Sequence, residues 1–288
     1  MSIAYLNGTY LPLEDARISP LDRGFLFGDG IYEVIPSYAG RIVGGRLHKE
    51  RLENGLEAIG ITVSAPDNEW LTIVQSLLEK NQNTFPSGNI GVYLHVSRGA
   101  DIKRFHAYPA NVTPTVFAFA FEIAASKPAD RTQTQGLKVM LQEDLRWRRC
   151  HIKSTSLLGN VMHFQQSQEG GVNETILFNQ QGYITEASVC NVFAVINNEV
   201  VTPPLDNQLL PGITRHLVIT SLTAEGIQVH ERPIQRDELL NASEVWLTSS
   251  SKEIAPVIEI EGKPVGNGKV GGMWERALTC YHAHKFAL

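Results

Sequence analysis

The sequence predicts a mixed α/β protein of two domains, a small α/β N-terminal domain and a larger, strand-rich C-terminal domain. The chain has 288 residues, which is enough for two hydrophobic cores. Its first half alternates strand-like and helix-like patterns, whereas short strand-like segments dominate the second half. Residues 124–130 are polar, contain a proline and have no hydrophobic period, which is typical of a linker. We therefore predict domains at 1–123 and 131–288, with a ligand site in the cleft between them.

Turn residues and hydrophobic periodicity define the elements of the first domain. Asn7-Gly8 favours a two-residue hairpin turn, and an amphipathic helix is predicted over residues 46–59. Asp67 is expected to cap a second helix, whose apolar face starts at Trp70. Strands are predicted at residues 31–38, 92–96 and 115–121. The segment 115–121 is apolar on both faces, so we expect it to be buried.

The second domain contains many short segments rich in β-branched and aromatic residues. Such segments, bounded by turn residues, favour strands. Strands are predicted near residues 137–142, 174–178, 183–187, 191–196, 199–202 and 244–249. One helix is predicted after Lys153, and a second begins near Ile213 and ends around Gly226.

Composition and charge narrow the class of function. Hydrophobic residues make up 43% of the chain and the formal net charge is −5, which favours an ordinary globular protein and gives no basic footprint for nucleic acid. The apolar runs are too short to span a membrane, and no secretory signal is visible. The three cysteines are too few and too widely spaced for a disulfide framework or a zinc site. We expect a cytoplasmic protein without a metal or a membrane or nucleic-acid partner.

Lys153 is the most informative residue of the chain. A strand-like segment leads into it and a helix-like segment follows. A desolvated amine beside other cationic groups loses part of its proton affinity and becomes nucleophilic towards an aldehyde. The alternative is a solvated surface lysine, which is the usual environment of this residue type.

Three features together predict an anion site that would hold a phosphate. Arg51 falls on the apolar stripe of the helix over 46–59, and an arginine directed inward needs a partner such as a phosphate or a buried carboxylate. Gly212 precedes an apolar helix whose free amides at Ile213 and Thr214 favour an anion. A turn rich in hydroxyl groups, residues 248–252, follows a strand; it is either a further set of donors or only a turn.

Glu186 lies between two strand-like segments. A carboxylate at such a position can pair with a ring nitrogen and keep it protonated. The alternative is an exposed turn residue.

Six motifs, in this order and with these spacings, carry a resemblance to a known family. They are residues 22–34 (DRGFLFGDGIYEV), 48–52 (HKERL), 144–154 (DLRWRRCHIKS), 185–186 with 191–193 (TE and NVF), 212–215 (GITR) and 252–260 (KEIAPVIEI). The chain resembles the fold-type IV pyridoxal-phosphate enzymes, and within them most closely the bacterial D-amino-acid aminotransferases. The resemblance covers nearly the whole chain.

The resemblance implies pyridoxal 5'-phosphate as the cofactor and a role for each matching residue. Lys153 matches the lysine that binds the cofactor as a Schiff base and moves a proton, and Glu186 matches the carboxylate on the pyridine nitrogen. Arg146 matches an arginine near the phenolic oxygen. The residues that match the phosphate site, with Ser188 assigned beside them, are Arg51, Ile213, Thr214 and Ser250.

The resemblance also implies the substrates and the assembly. Tyr32, Arg104 and His106 match the group that binds the α-carboxylate in the D-specific members. The arginine and the histidine are typically provided by the other subunit, which implies a homodimer. The expected reaction moves the amino group of a D-amino acid (D-alanine, D-glutamate or D-aspartate type) to a 2-oxoacid such as 2-oxoglutarate by a ping-pong mechanism.

One departure and three alternatives remain open at this stage. Where D-specific relatives usually carry a serine-rich run after the glutamate, this chain has Ala187-Ser188-Val189-Cys190. The alternatives are a lyase of the 4-amino-4-deoxychorismate type, an L-branched-chain amino-acid aminotransferase, and a pyridoxal-phosphate binder without catalysis. The segment 104–106 favours the D-specific transaminase over all three.

Overall fold

The structure is a computed structural model that describes residues 1–287, and these residues form two compact units. Unit 1 comprises Met1–Ala125 and Ile152–Leu157. Unit 2 comprises Ser126–His151 and the chain from Leu158 onward. The chain thus passes from unit 1 to unit 2 inside the predicted linker, returns to unit 1 for six residues around Lys153, and then continues in unit 2. The proposed domain bounds themselves, 1–123 and 131–288, stay a prediction.

Unit 1 is built on an antiparallel sheet. Its strands are β1 (Ile3–Leu6), β2 (Thr9–Pro12), β3 (Gly30–Tyr38), β4 (Arg41–Ile42), β5 (Asn89–Ser97) and β6 (Thr115–Glu122). They are arranged in the order β2-β1-β6-β5-β3-β4. Asn7 and Gly8 join β1 to β2, both with positive φ (46° and 86°), as a primed hairpin turn requires.

Three helices accompany this sheet. They are α1 (Arg23–Phe27), α2 (Gly45–Ala58) and α3 (Trp70–Asn81). The core of unit 1 contains Ile31 and Ile35 from β3, Leu52 and Leu56 from α2, and the apolar face of α3. Successive residues of a strand point to opposite sides, so residues two apart share a side. Glu33, two residues from both Ile31 and Ile35, therefore faces the same buried side as these two apolar residues.

Unit 2 is built on a nine-stranded sheet that is mostly antiparallel. Its strands are β7 (Leu137–Glu143), β8 (Glu174–Phe178), β9 (Ile184–Ala187), β10 (Asn191–Ile196), β11 (Glu199–Thr202), β12 (Val229–Glu231), β13 (Glu244–Ser249), β14 (Glu253–Ile260) and β15 (Lys263–Pro264). The order is β12-β11-β10-β13-β14-β7-β8-β9, with β15 beside β14. β7 runs parallel to both β14 and β8, and β11 runs parallel to β12.

Four helices belong to unit 2. They are α4 (Leu158–Glu169), α5 (Ile213–Ala224), α6 (Arg236–Leu240) and α7 (Gly272–His284). Trp246 and Trp274 are both completely buried, in β13 and α7 respectively. Near the start of unit 2, Ser126 donates a hydrogen bond to Glu253, which also pairs with Lys285 at 2.6 Å, so the end of the chain is tied to β14.

The mixed α/β class and the predicted elements are confirmed, with two corrections. Asp67 does not cap α3: the N-cap is Glu69, without a side-chain hydrogen bond, and Asp67 instead accepts a hydrogen bond from the Tyr5 hydroxyl. The strand at 115–121 is fully buried on one face only, because Phe117, Phe119 and Phe121 are half-buried. The predictions of single strands and helices omitted α1, α6, α7, β4, β12, β14 and β15.

Among residues 1–287, no helix combines the length and the apolar character that a membrane crossing needs.

Gly99→Ala should destabilise unit 1 more than Gly40→Ala. Both glycines have positive φ (100° and 77°), which costs any other residue about 1–2 kcal/mol. A Cβ at position 99 would also lie 2.0 Å from the Thr113 carbonyl oxygen, whereas nothing lies within 4 Å at position 40. Denaturant unfolding should show a further loss of about 1–3 kcal/mol for Gly99→Ala. Equal losses of unfolding free energy in the two variants would mean that the backbone around Thr113 moves to accommodate the added methyl group at little cost.

Candidate active site

Main-chain hydrogen bonds fix the position of Lys153. Its carbonyl accepts a hydrogen bond from the Tyr32 amide (3.0 Å), and Thr155 N donates to the Gly30 carbonyl (2.9 Å). Ser154 forms an isolated bridge with Ile31. The segment 152–157 therefore lies along the first residues of β3. The Lys153 side chain is half-buried, and its Nζ lies 4.2 Å from the centre of the Tyr32 ring.

Glu33 is the partner of Arg51. Arg51 Nε donates to Glu33 Oε1 and its Nη2 to Oε2, both at 2.7 Å, and Glu33 is completely buried. Burial alone would raise the pKa of Glu33, but the Arg51 and His48 contacts outweigh it and hold this pKa well below its usual range. Of the two predicted partners of Arg51, the buried carboxylate is therefore present; contact with a phosphate stays a prediction.

His48 completes this group on α2. Its Nδ1 lies 2.7 Å from Glu33 Oε2, and the ring is buried. Burial lowers the pKa of His48, against the opposite effect of Glu33. A neutral imidazole facing an ionised carboxylate donates its Nδ1–H, so Glu33 holds both His48 and Arg51 in fixed orientations.

The predicted carboxylate-binding residues lie in two places of unit 1. Arg104 and His106 belong to the loop between β5 and β6, and both contact Phe27. The Arg104 guanidinium carbon lies 5.2 Å from the centre of that ring, and the His106 ring centre lies 5.3 Å from it. Tyr32 instead stacks on Tyr93 in the neighbouring strand β5, with 5.7 Å between ring centres.

Glu186 is the end of a buried charge network in unit 2. Arg146 Nη1 donates to Glu186 Oε1 at 2.6 Å, while its Nε and Nη2 donate to Asp144 at 3.0 and 2.8 Å. Asn191 Nδ2 (3.3 Å) and the Leu210 amide (3.1 Å) donate to Glu186 Oε2. Burial raises the pKa of Glu186 although Arg146 opposes this effect. The alternative of an exposed turn residue is wrong, since Glu186 lies inside β9 and is 5% exposed.

The start of α5 has the features of an anion site. Its N-cap is Gly212, which provides no side-chain cap, and the first amides of a helix have no partner within it. A Cβ at Gly212 would lie 1.9 Å from Asn191 Oδ1, so any other residue there would displace the Asn191 side chain. Thr248, the cross-strand partner of Asn191, has a buried hydroxyl that finds no hydrogen-bond partner among the described residues.

Ser188 belongs to a different buried cluster. Its hydroxyl donates to Glu174, whose other oxygen lies 3.4 Å from Lys252 Nζ and 3.8 Å from Cys190 Sγ. The Ser188 hydroxyl is thus used inside the protein, and its assignment to the cofactor stays a prediction. Ser250 is half-buried in the turn after β13.

Sequence reasoning missed the residues that hold the predicted ones. Glu33 and Asp144 position Arg51 and Arg146, and Asn191 contacts Glu186. The available signal for Glu33 was a carboxylate inside an otherwise apolar strand, because such a residue needs a cationic partner. Asp144 gave no such signal, since it follows β7 in a polar segment.

Comparison with known proteins identifies the class and then the family. The fold is that of known aminotransferases: the branched-chain amino acid aminotransferase of Escherichia coli superposes with a TM-score of 0.87 over 98% of this chain and 94% of that one, at 24% identity. The Thermoproteus uzoniensis enzyme gives 0.84 over 100% and 96%, also at 24%. The model of the family "Amino-transferase class IV" matches residues 30–260. The chain belongs to this family.

Sequence similarity is higher to another group of relatives. The D-alanine aminotransferase of Bacillus licheniformis is 37% identical over 273 residues, which is 95% of this chain and 93% of that protein. The D-alanine aminotransferase of Staphylococcus haemolyticus is 34% identical over 94% and 93% of the two chains. The predicted resemblance to D-amino-acid aminotransferases of fold type IV is confirmed.

Arg146→Met should destabilise unit 2 strongly, because Asp144 and Glu186 would lose the cation that neutralises them. Removing one partner of a buried pair costs about 3–5 kcal/mol. Arg232→Met is the control, since Arg232 pairs with Glu238 at 2.5 Å but both side chains are about one third exposed; it should cost at most about 1 kcal/mol. Urea unfolding followed by tryptophan fluorescence measures both. Equal losses would show that Arg146 is not needed for neutralisation.

Proposed function

We propose that this chain is a pyridoxal-phosphate-dependent transaminase for D-amino acids of the D-alanine, D-glutamate or D-aspartate type, with a 2-oxoacid such as 2-oxoglutarate as acceptor. The observation that carries the proposal is the 37% identity to a D-alanine aminotransferase over 95% of the chain. The branched-chain enzymes share the fold but only 24% identity with this chain. The comparisons therefore do not favour an L-branched-chain amino acid as the substrate.

The residues of each unit fit the cofactor. Unit 1 has a half-buried lysine amine. In unit 2, three donors contact the Glu186 carboxylate. Because a carboxylate has about four acceptor sites, Glu186 can accept one more hydrogen bond, from a protonated ring nitrogen. The uncapped start of α5 and the unpartnered Thr248 hydroxyl match the donors that a phosphate group requires.

Lys153 is proposed to hold the cofactor and to move the proton. Pyridoxal phosphate, when bound, supplies the electron sink for the bond that breaks at the substrate Cα. Once the substrate amine has displaced it from the cofactor, Lys153 Nζ would be a free amine, would take the Cα proton as a general base and would return it later in the same half-reaction. Glu186 accepts the ring N–H and favours its protonated form, while Arg146 keeps the carboxylate oriented. Arg51 and the amides of Ile213 and Thr214, with Ser250, bind the phosphate.

Tyr32, Arg104 and His106 are proposed to bind the α-carboxylate of the substrate. A guanidinium and an imidazole can both donate hydrogen bonds to a carboxylate. The Arg104 guanidinium and the His106 ring both lie against the Phe27 ring. Lys153 would remove the Cα proton of the substrate from one side only. The side on which the substrate carboxylate is bound therefore decides whether a D- or an L-amino acid reacts. The residues proposed to distinguish D- from L-amino acids are therefore Arg104 and His106 in the loop between β5 and β6, and not Lys153.

The proposal includes a homodimer in the cytoplasm, in which Arg104 and His106 serve the neighbouring subunit's active site. The support for the homodimer and for the sharing of these two residues is the family resemblance.

Lys153→Ala should abolish transamination of D-alanine with 2-oxoglutarate, with a loss of at least about 10²-fold because the general base is removed. D-alanine, and not L-alanine, should change the visible absorbance of the wild-type protein loaded with pyridoxal phosphate. Borohydride reduction followed by peptide mass spectrometry should find the cofactor on Lys153. Lys49→Ala, at an exposed lysine of the same unit, should behave as wild type. Absorbance changes with L-alanine alone would refute the D-specific assignment.

Mixing two defective variants tests the shared site, with D-alanine kept far below the wild-type KM so that a variant with weakened carboxylate binding contributes little activity. In a heterodimer of Lys153→Ala and Arg104→Gln, one site combines both intact residues only if Arg104 acts across the interface. Random mixing after unfolding and refolding should then restore about one quarter of wild-type activity, since half of the dimers are mixed and each has one intact site. Activity that stays at the level of the separate variants would place Arg104 in its own subunit's site.

A further inference from the structure

We propose that Arg23 is a positioning residue that holds Arg104 and His106 in place and thereby sets the affinity for the substrate carboxylate. This inference rests on the function proposed above, in which these two residues bind the carboxylate. Arg23 lies in the motif over residues 22–34, in which the substrate assignment gives a role to Tyr32 but none to Arg23.

Arg23 contacts the backbone of the residues that it would position. Its Nη1 donates to the Phe105 carbonyl at 2.5 Å and its Nη2 to the His106 carbonyl at 3.1 Å. The Arg23 side chain is 3% exposed, so water competes little for these hydrogen bonds. Two donors of one planar guanidinium thus fix two consecutive carbonyls, which defines the direction of the chain at that point.

Asp29 and Arg98 keep the Arg23 guanidinium in place. Arg23 Nε donates to Asp29 Oδ2 at 2.7 Å. Arg98 binds the same carboxylate through Nε and Nη2, at 2.8 and 3.0 Å, and also donates to the carbonyls of Ile59 and Gly60 at 2.7 and 3.0 Å. The anchor is therefore continuous from the end of α2 to the loop.

Phe27 sets the spacing of the two predicted binding residues. Its ring contacts the guanidinium groups of Arg23, at 4.8 Å, and of Arg104, at 5.2 Å. The His106 ring packs on it at 5.3 Å. Arg23 consequently holds the backbone of the segment while Phe27, one turn further along α1, supports its side chains.

The loop has few other restraints around this point. Ile102, Phe105 and Tyr108 are all more than 60% exposed, so their burial within unit 1 contributes little to the loop conformation. The Tyr108 ring also packs on Arg98, with 3.5 Å from the guanidinium carbon to the ring centre, whereas the Arg23 hydrogen bonds hold the backbone of residues 105 and 106 directly. A displacement of about 1 Å at a substrate-positioning group can reduce catalytic efficiency by as much as 10²-fold.

Arg23→Gln and Arg23→Lys test this role, with Arg104→Gln as the reference for direct loss of carboxylate binding. We expect Arg23→Gln to raise the KM for D-alanine and the inhibition constant of propionate, a carboxylate without an amino group, by about 10- to 100-fold. The kcat at saturating D-alanine should change much less, because Lys153 is untouched. Hydrogen–deuterium exchange of residues 99–114 should increase. Arg23→Lys keeps a charge beside Asp29 and should be intermediate.

Arg17→Gln is the matched control. Arg17 also donates to two backbone carbonyls of unit 1, those of Glu14 and Ala16, but it is exposed. It should leave KM, the propionate constant and the exchange of the loop unchanged. If Arg23→Gln does not fold by circular dichroism, Arg23→Lys decides the question.

The outcomes separate this inference from the proposed function. A wild-type protein that transaminates no D-amino acid overturns both. If wild type is active and Arg104→Gln raises KM, but the Arg23 variants leave KM and the propionate constant within the error of wild type, the inference alone is overturned. A fall in kcat with unchanged KM would likewise make Arg23 merely structural.

Discussion

A buried carboxylate must be matched by a cation, and this constraint organises both units. Glu33 is held against Arg51 in unit 1, and Glu186 against Arg146 in unit 2. An unpaired charge in either place would cost several kcal/mol, so each complete pair contributes strongly to the stability of its unit. Two members of these pairs, Arg51 and Glu186, are also proposed to contact the cofactor. The requirement for folding and the preorganisation of the site are therefore met by one set of interactions.

Preorganisation has a direct chemical value here. An arginine or a glutamate free to change rotamer would lose that freedom on binding, whereas Arg51 and Glu186 already have fixed directions from two or more hydrogen bonds. Binding of the cofactor to the proposed residues would then cost little side-chain conformational entropy. The arrangement also fixes the ionisation of the groups, because Glu33 stays ionised beside Arg51 while burial keeps His48 neutral.

Local features of the fold followed from the sequence, and features that depend on remote contacts did not. The Asn7-Gly8 hairpin and the start of α5 at Ile213 depend on turn geometry and periodicity, which short segments encode. Asp67 had the residue type of a cap, but Tyr5, far away in the sequence, binds its carboxylate. The return of residues 152–157 to unit 1 depends on pairing with β3, which no local pattern signals. For the proposed site, motifs predicted Lys153 and Glu186, whose roles stay predictions, whereas the place of Asp144 depends on its contacts with Arg146 and Thr185.

The anchor at Arg23 uses carbonyl groups, and this has a consequence for how the loop can change in evolution. Every amino acid has the same carbonyl, so a replacement of the side chain at position 105 or 106 leaves both hydrogen bonds from Arg23 available. The residues that would meet the substrate can therefore vary without loss of the support beneath them. The groups that hold the loop backbone are thus different from the side chains that would contact the substrate. One scaffold can therefore acquire new substrates by single substitutions in the loop, while Arg23, Asp29 and Arg98 stay the same.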